Sequence, residues 1–442
     1  MAIKIGRKAT RVIERNKKFM INTGHQPYPF VVASGDGEYA YDIEGNRFID
    51  FTSFISVYNI GVNANAEVRS AVKKQADELM HGAFLDFYSE KPVKFAENLL
   101  TMFPKGFGRI FFSNSGTEAN EAAIKLSRIF TKRQYIISFT GAFHGRTMGS
   151  LGLTDSKVVA KKYFGPFNSV IHAPFPYTYR SPVGEDEHAT SRYCIDYLRD
   201  NILGHDVAPE EVAAIFIEPV QGEGGYVVPP REFMKELREL CTEHGILLVS
   251  DEVQAGYMRT GKFLAMDNFG VEADIYTMAK AIGGGLPMGA TVTRRSLGDI
   301  PDGAHANTFG GNLAVIAAAS ASLDYVKRNI KSLELGVKFK NRIIMKRLER
   351  MKKDYEIIGD VRGLGLMIGV EFVKDRRTKE NAAEERKQIV IDAFKNGLLL
   401  LPCGKSTIRI IPPVTMSNSS IEEGMGIFED AVKTADAKAK KH

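Results

Sequence analysis

The sequence predicts an α/β protein with a mostly parallel central sheet in a large domain and a smaller α+β domain. Three observations carry this prediction. From about residue 66 to 329, apolar strand-like runs alternate with long amphipathic helical stretches. That alternation implies a parallel sheet covered by helices on both faces. The chain has 442 residues, more than the roughly 250–300 at which a single core stops growing. Its last third changes to short apolar runs between helical stretches, the texture of a smaller α+β unit. The predicted organisation is an N-terminal segment 1–65 that belongs with the small domain, a large domain 66–329 and a C-terminal small domain 330–442.

The elements follow in order. PFVVAS (29–34), YAYDI (39–43) and RFIDF (47–51) read as short strands. Gly35-Asp36-Gly37 and Glu44-Gly45-Asn46 mark the turns of an antiparallel meander. The large-domain strands are 109–114, 134–139, 169–174, 212–219, 246–253 and 290–294. Helical stretches lie at 118–130 and 231–245, and another near 312–329. GLGLMIGVEFV, a helix at 384–396, LLLLPCG, TIRIIPP and a helix at 420–436 complete the chain.

Composition excludes several classes. Apolar residues make up 44% and charged residues 25%, an ordinary globular balance. No apolar run approaches the ~18 residues of a membrane helix, and no signal-peptide pattern opens the chain. Cys194, Cys241 and Cys403 are far apart and odd in number, which argues against a disulfide framework and against a metal site. A cytoplasmic protein is expected. The net charge of +6 gathers at the ends, at Lys4, Arg7, Lys8, Arg11, Arg15, Lys17 and Lys18 and at Lys433, Lys438, Lys440 and Lys441. Nucleic-acid binding would need base-reading or stacking residues beside those charges, and they are lacking; solvated helix ends are expected. An Arg-rich transit peptide is the weaker alternative, opposed by Glu14.

Two glycine patterns mislead. Gly35-Asp36-Gly37-Glu38-Tyr39-Ala40 imitates a dinucleotide fingerprint, but no amphipathic helix follows. Gly363-Leu364-Gly365 lies in an apolar run and reads as close packing. Three other segments carry chemistry. In Ser113-Asn114-Ser115-Gly116-Thr117-Glu118-Ala119-Asn120 a strand ends and a helix begins, so free N–H groups with the Ser115 and Thr117 hydroxyls suit an anion. Plain helix capping explains that segment equally well. In Ser250-Asp251-Glu252-Val253-Gln254 an acid ends a strand, where ligands bind in such sheets. In Ala279-Lys280-Ala281-Ile282-Gly283-Gly284-Gly285 a lysine stands in apolar company, which lowers its pKa, beside glycines that admit close approach.

Together with GAFHGRT, IEPVQGEGG, HANTFGGN and TIRIIPP, these segments resemble the class III (subgroup II) aminotransferases, from about residue 25 to the last helix. The resemblance implies pyridoxal phosphate (PLP) fold type I, the aspartate aminotransferase-like fold, and PLP as cofactor. It makes Lys280 the lysine that bonds the cofactor covalently and shuttles the proton. It makes Asp251 the partner of the pyridinium nitrogen, Gln254 the partner of the ring 3-oxygen, and Val253 and Phe143 the residues on the two ring faces. Gly116 and Thr117, with Ser115, would hold the phosphate. Thr308 would reach the phosphate of the neighbouring subunit, which implies an obligate homodimer with shared active sites; a tetramer stays open. Glu218 and His144 would lie one layer behind.

On the substrate side, Arg409 resembles the arginine that forks onto an α-carboxylate, and Glu223 its switch partner when the donor has no carboxylate near the reacting carbon. Arg146 matches a position that can hold a distal carboxylate, or serves structure alone. Ser53–Ile55 matches a segment at the substrate entrance, so Phe54 and Ile55 would shape it. The chain departs from the family there: Gly61-Val62-Asn63-Ala64-Asn65 replaces a G-H-x-H-P element. The implied activity is transfer of an amino group from an ω-amino acid or related amine, 4-aminobutyrate-like, to 2-oxoglutarate. The alternatives are an ornithine, acetylornithine or lysine aminotransferase, or a PLP-dependent racemase or epimerase. A non-catalytic binding protein is disfavoured because Lys280 and Asp251 are both present.

Overall fold

The computed structural model describes residues 3, 5–24, 26–63, 65–167 and 169–440. Lys4, Ala64 and Lys441, which figured in the sequence reading, lie outside them. The chain divides into two compact units, Ala66–Lys331 and Met1–Asn65 with Ser332–His442.

The first unit is built on a seven-stranded sheet. Its order is Phe107–Ser113, Gly289–Arg294, Ile275–Ala279, Leu247–Asp251, Val212–Ile217, Tyr135–Phe139 and Val170–Ala173. Gly289–Arg294 runs antiparallel to both its neighbours; the pairs beyond Ile275–Ala279 are parallel. The central strands Val212–Ile217 and Ile275–Ala279 are buried at every position, as a sheet covered on both faces requires. The helix Gly116–Thr131 turns Ala123, Ile124 and Leu126 onto a core with Ile136, Ala214, Phe216, Val249 and Ile275. Ser115 caps that helix by accepting from the Glu118 N–H at 3.3 Å. Ile275–Ala279 was not among the expected strands.

The second unit holds two four-stranded sheets. Val32–Asp36, Tyr39–Asp42 and Arg47–Asp50 form the expected meander, joined by Leu398–Leu399 in parallel. The first strand starts at Val32 and runs on through Gly35-Asp36, so the turn is tighter than read from the sequence. Ile358–Leu364, Met367–Phe372, Thr407–Ile410 and Leu401–Cys403 form the other sheet, all antiparallel. GLGLMIGVEFV is therefore a hairpin that reverses at Gly365, where φ is 58°. Phe48 and Tyr28 stack on Phe394 at 5.0 and 4.6 Å. Arg7, Lys8, Arg11, Arg15, Lys17 and Lys18 fall on the helix Arg7–Phe19, where only Ala9 is buried.

Two features exceed the expectation. The helix expected near 312–329 runs from Leu313 to Asp354, 42 residues. Apolar residues at Leu333, Val337, Ile344, Leu348 and Met351 keep a helical spacing and are buried. Ser53, Phe54, Ile55 and Ser56 all have positive φ, 44°, 48°, 64° and 62°. They form one turn of left-handed helix without a glycine. Each such residue costs roughly 1–2 kcal/mol, and side chains hold the turn in place. Ser53 Oγ donates to the Ile411 carbonyl at 2.6 Å and Thr52 Oγ1 donates to Asp50 at 2.6 Å.

Among the described residues no helix is long and apolar enough to cross a membrane, and no group of three or more His, Cys, Asp or Glu could hold a metal ion. All three cysteines are buried, and none forms a disulfide.

Candidate active site

The site assembles at the carboxyl ends of the strands of the first unit, and one glycine shows how closely. A Cβ on Gly116 would lie 2.8 Å from Val253 Cγ1 and 3.5 Å from the Ala279 Cβ. The helix start, the strand end that carries Asp251 and the strand that delivers Lys280 therefore meet at Gly116, and only glycine lets them. Gly289 pairs with both Ala279 and Ser113, which sets the lysine loop level with the helix start. Lys280 itself has φ of 52°, a left-handed conformation for a non-glycine residue.

Asp251 is 4% exposed and densely held. Its Oδ2 accepts from Asn120 Nδ2 at 2.8 Å and lies 2.8 Å from His144 Nδ1; its Oδ1 accepts from the Val253 N–H at 3.0 Å. Thr277 donates to the Asn120 amide oxygen at 2.8 Å, which fixes the amide with its NH2 toward Asp251 and the His144 carbonyl. Burial alone would lower the His144 pKa. The hydrogen bond and charge of Asp251, with the charge of Glu218, outweigh it and raise the pKa. The net shift favours the charged imidazole beside the Asp251 carboxylate.

Behind Phe143 lies Glu218. Its two oxygens accept from the Phe143 and Gly222 N–H groups, both at 2.9 Å. Burial pushes its carboxyl up to about 7. Tyr226 donates to Gln254 Oε1 at 2.5 Å, and a Cβ on Gly222 would lie 2.7 Å from Gln254 Nε2. Phe143, Glu218, Gly222 and Gln254 are thus tied into one wall. Arg146 is exposed, with its guanidinium 5.6 Å from the Phe143 ring centroid. Glu223 forms an ion pair with Lys157 at 3.4 Å.

Thr308, Arg409, Phe54 and Ile55 complete the expected set. Thr308 is exposed on a loop anchored by Asn307 Nδ2 to the Phe112 carbonyl at 2.9 Å. Arg409, Phe54 and Ile55 belong to the second unit. Arg409 is 5% exposed on the strand Thr407–Ile410 and donates to the Pro402 carbonyl at 3.0 Å. Phe54 is half-buried against the core around Phe48 and Phe394, and Ile55 is exposed. Asn120 and Thr277, which hold Asp251, were not singled out from the sequence. A buried asparagine in the middle of an otherwise apolar helix face was the available signal.

The fold and this cluster define an enzyme of PLP fold type I. A model of the family "Aminotransferase class-III" matches residues 20–432. The chain is 38% identical over 423 residues to the leucine/methionine racemase of Thermococcus litoralis, covering 95% of each. It is 38% identical over 412 residues to a probable 4-aminobutyrate aminotransferase of Bacillus subtilis, covering 91% of this chain and 93% of that one. Among solved structures it is similar to an amine transaminase from an uncultivated Pseudomonas species in its PLP-bound form. The TM-score is 0.87 at 31% identity, covering 96% of this chain and 99% of that one. The chain belongs to the class III aminotransferase family, and its cofactor is PLP.

Proposed function

We propose that this enzyme moves an amino group from an ω-amino acid or related amine, 4-aminobutyrate-like, to 2-oxoglutarate. The bound cofactor supplies an electron sink for the carbon that loses its proton. Lys280 would hold the cofactor covalently, and its Nζ would move that proton. Asp251, held by Asn120 and His144, would pair with the ring nitrogen. Gln254 would bond the ring 3-oxygen, and Val253 and Phe143 would lie against the two ring faces. Ser115, Gly116 and Thr117 would hold the phosphate at a helix start. The residues fit the group: an anion cradle, a buried carboxylate with three donors and an amine on a strained turn converge around Gly116.

One observation carries the choice of substrate. Glu223 lies among glycines at 222, 224 and 225, and its ion pair with Lys157 is long, with the lysine side chain 49% exposed. Such pairs are worth ~0–1 kcal/mol, so the Lys157 contact would oppose an exchange of partners only weakly. In this reading Arg409 binds the α-carboxylate of glutamate or 2-oxoglutarate, and Glu223 neutralises Arg409 when an ω-amine occupies the site. Arg146 reaches the distal carboxylate, and Phe54 and Ile55 shape the entrance. The likeness to the probable 4-aminobutyrate aminotransferase supports the same donor class.

The working unit in this proposal is a cytoplasmic homodimer, with the partner subunit's Thr308 on the phosphate. Leu79, Met80, Leu85, Phe87, Tyr88 and Phe309 are exposed apolar residues, and His81 packs on Phe309 at 4.8 Å. Exposed apolar residues in this number would suit burial against a second copy.

The test is a half-reaction screen: candidate amines are added singly and loss of the visible band of the Lys280-bound cofactor is followed. 4-Aminobutyrate and glutamate should discharge the band, and Lys280→Ala should lack it. A second reading, an amino-acid racemase, is favoured by the likeness to the leucine/methionine racemase. An L-amino acid supplied without any keto acid decides between them, since accumulation of the D-enantiomer would rule out the transaminase reading.

A further inference from the structure

Beside the Gly116–Thr117 helix start lies a chain of hydroxyls that the proposed chemistry does not use. Thr117 Oγ1 is 2.7 Å from Thr147 Oγ1 and 2.5 Å from Ser150 Oγ. Thr147 Oγ1 donates to Glu121 Oε1 at 2.6 Å, and the Ser150 N–H donates to the same oxygen at 3.0 Å. The Thr147 N–H points to Thr117 Oγ1 at 3.3 Å.

Glu121 sets the direction of these bonds. An ionised carboxylate only accepts, so the single hydroxyl hydrogen of Thr147 goes to Glu121. Thr147 Oγ1 must then accept from Thr117. Thr117 Oγ1 in turn accepts from Ser150, whose other acceptors, Thr147 Oγ1 at 3.0 Å and the Thr147 carbonyl at 3.3 Å, are longer. The relay runs Ser150 to Thr117 to Thr147 to Glu121. Two glycines make room for it. A Cβ on Gly149 would run into the Glu121 carboxylate, and one on Gly145, where φ is 138°, would run into Thr117 Oγ1.

The relay divides the work at the helix start. Ser115 Oγ accepts from Glu118 and keeps its hydrogen for a ligand. Thr117 has its hydroxyl fixed sideways, so its rotamer is set and its backbone N–H is presented to the anion. The first N–H groups of a helix have no intrahelical acceptor and are available for this.

We propose that Glu121 is a positioning residue for the cofactor phosphate, acting through Thr147 to fix Thr117. This rests on the reading that the phosphate lies at Gly116–Thr117. The rival explanation is that Glu121 merely stabilises its helix by sitting near the positive end of the helix dipole.

The experiment measures PLP affinity of the apo-enzyme, by titration of the visible band, in Thr117→Val, Thr147→Val, Glu121→Ala, Glu121→Gln and the double variant Thr117→Val/Glu121→Ala. Loss of a hydrogen bond to a charged group predicts about tenfold weaker binding in Glu121→Ala. Thr147→Val, which leaves the carboxylate in place and cuts the link, should match it. Glu121→Gln, whose amide oxygen still accepts, should recover most of the affinity. Residues of one network do not add, so the double variant should be no weaker than about twofold below the poorer single variant. Losses that multiply in the double variant overturn the relay while leaving the phosphate site standing. If Thr117→Val alone binds PLP like the parent, the relay falls while the phosphate site, which uses the backbone N–H that valine keeps, stands. Should Glu121→Ala not fold, Thr147→Val and its double with Thr117→Val give the same decision.

Discussion

Asp251 Oδ2 accepts the Asn120 amide at 2.8 Å and stands 2.8 Å from His144 Nδ1, with both partners buried. Two side chains, 131 and 107 positions away in sequence, therefore serve one oxygen. Removing an orienting partner of a reactive group costs roughly 10–100-fold by analogy with the outer ligands of metal sites. Asn120→Ala and His144→Phe should each slow the half-reaction to that extent with little change in KM, read by stopped-flow absorbance. The raised His144 pKa gives a sign for pH. The charged pair stabilises the fold below the ordinary histidine pKa, and this is lost as pH rises through the higher folded value. His144→Phe should remove that part of the pH dependence of thermal unfolding.

Glu252 is buried beside Asp251 and accepts from the Ala265 and Met266 N–H groups at 2.7 and 3.1 Å. Burial pushes its carboxyl up to about 8. The folded protein thus holds a proton that the unfolded chain releases near pH 4.5, so this group's contribution to stability falls as pH rises from there toward 8. Glu252→Gln should flatten that slope. Glu252→Ala should destabilise by about 1–3 kcal/mol for each orphaned N–H, measured by denaturant unfolding.

The left-handed turn makes an inverted prediction. Ile55 is 41% exposed and β-branched at φ 64°. Ile55→Gly should raise stability by about 1 kcal/mol through relief of that conformation, although an apolar side chain is lost. Phe54→Gly should not, because Phe54 packs against the Phe48–Phe394 core. Melting temperatures of the two variants against the parent check the contrast.

The two arginines should separate by substrate. Arg409→Ala should raise the KM for 2-oxoglutarate about 10–100-fold, the range for a lost bond to a charged group. Arg146→Ala should raise the KM only for substrates with a distal carboxylate and leave a simple amine donor unaffected. Steady-state KM values for 4-aminobutyrate and for an uncharged alkylamine make the comparison.

The α/β class was legible because fully apolar runs such as VAAIFI can only be buried strands in that pattern. The strand Ile275–Ala279 was missed because it is five residues long and its apolar residues were read as surroundings of Lys280. Asn120 and Thr277 were missed because their partners lie 131 and 157 residues away, beyond any local rule. Nothing in Ser53–Ser56 announces positive φ, since no glycine or asparagine stands there; the Ile411 carbonyl, 358 residues on, helps to impose it. The helix beyond residue 329 was cut short because charges replace its alanines, although no proline ends it before Asp354.

Lys280 lies in the tightest connection of the large sheet. Gly289 pairs with Ala279, only ten positions earlier, and with Ser113, 176 positions earlier. The entropy of closing a loop grows with its length, so the reversal around the lysine is the inexpensive step and the union with the Ser113 strand the slow one. A refolding chain would therefore present its reactive amine before it owns an anion cradle. Free PLP in a refolding mixture meets a lysine it can modify but not yet a pocket that retains it, and the gain of a stable visible band would time the last strand to join the sheet.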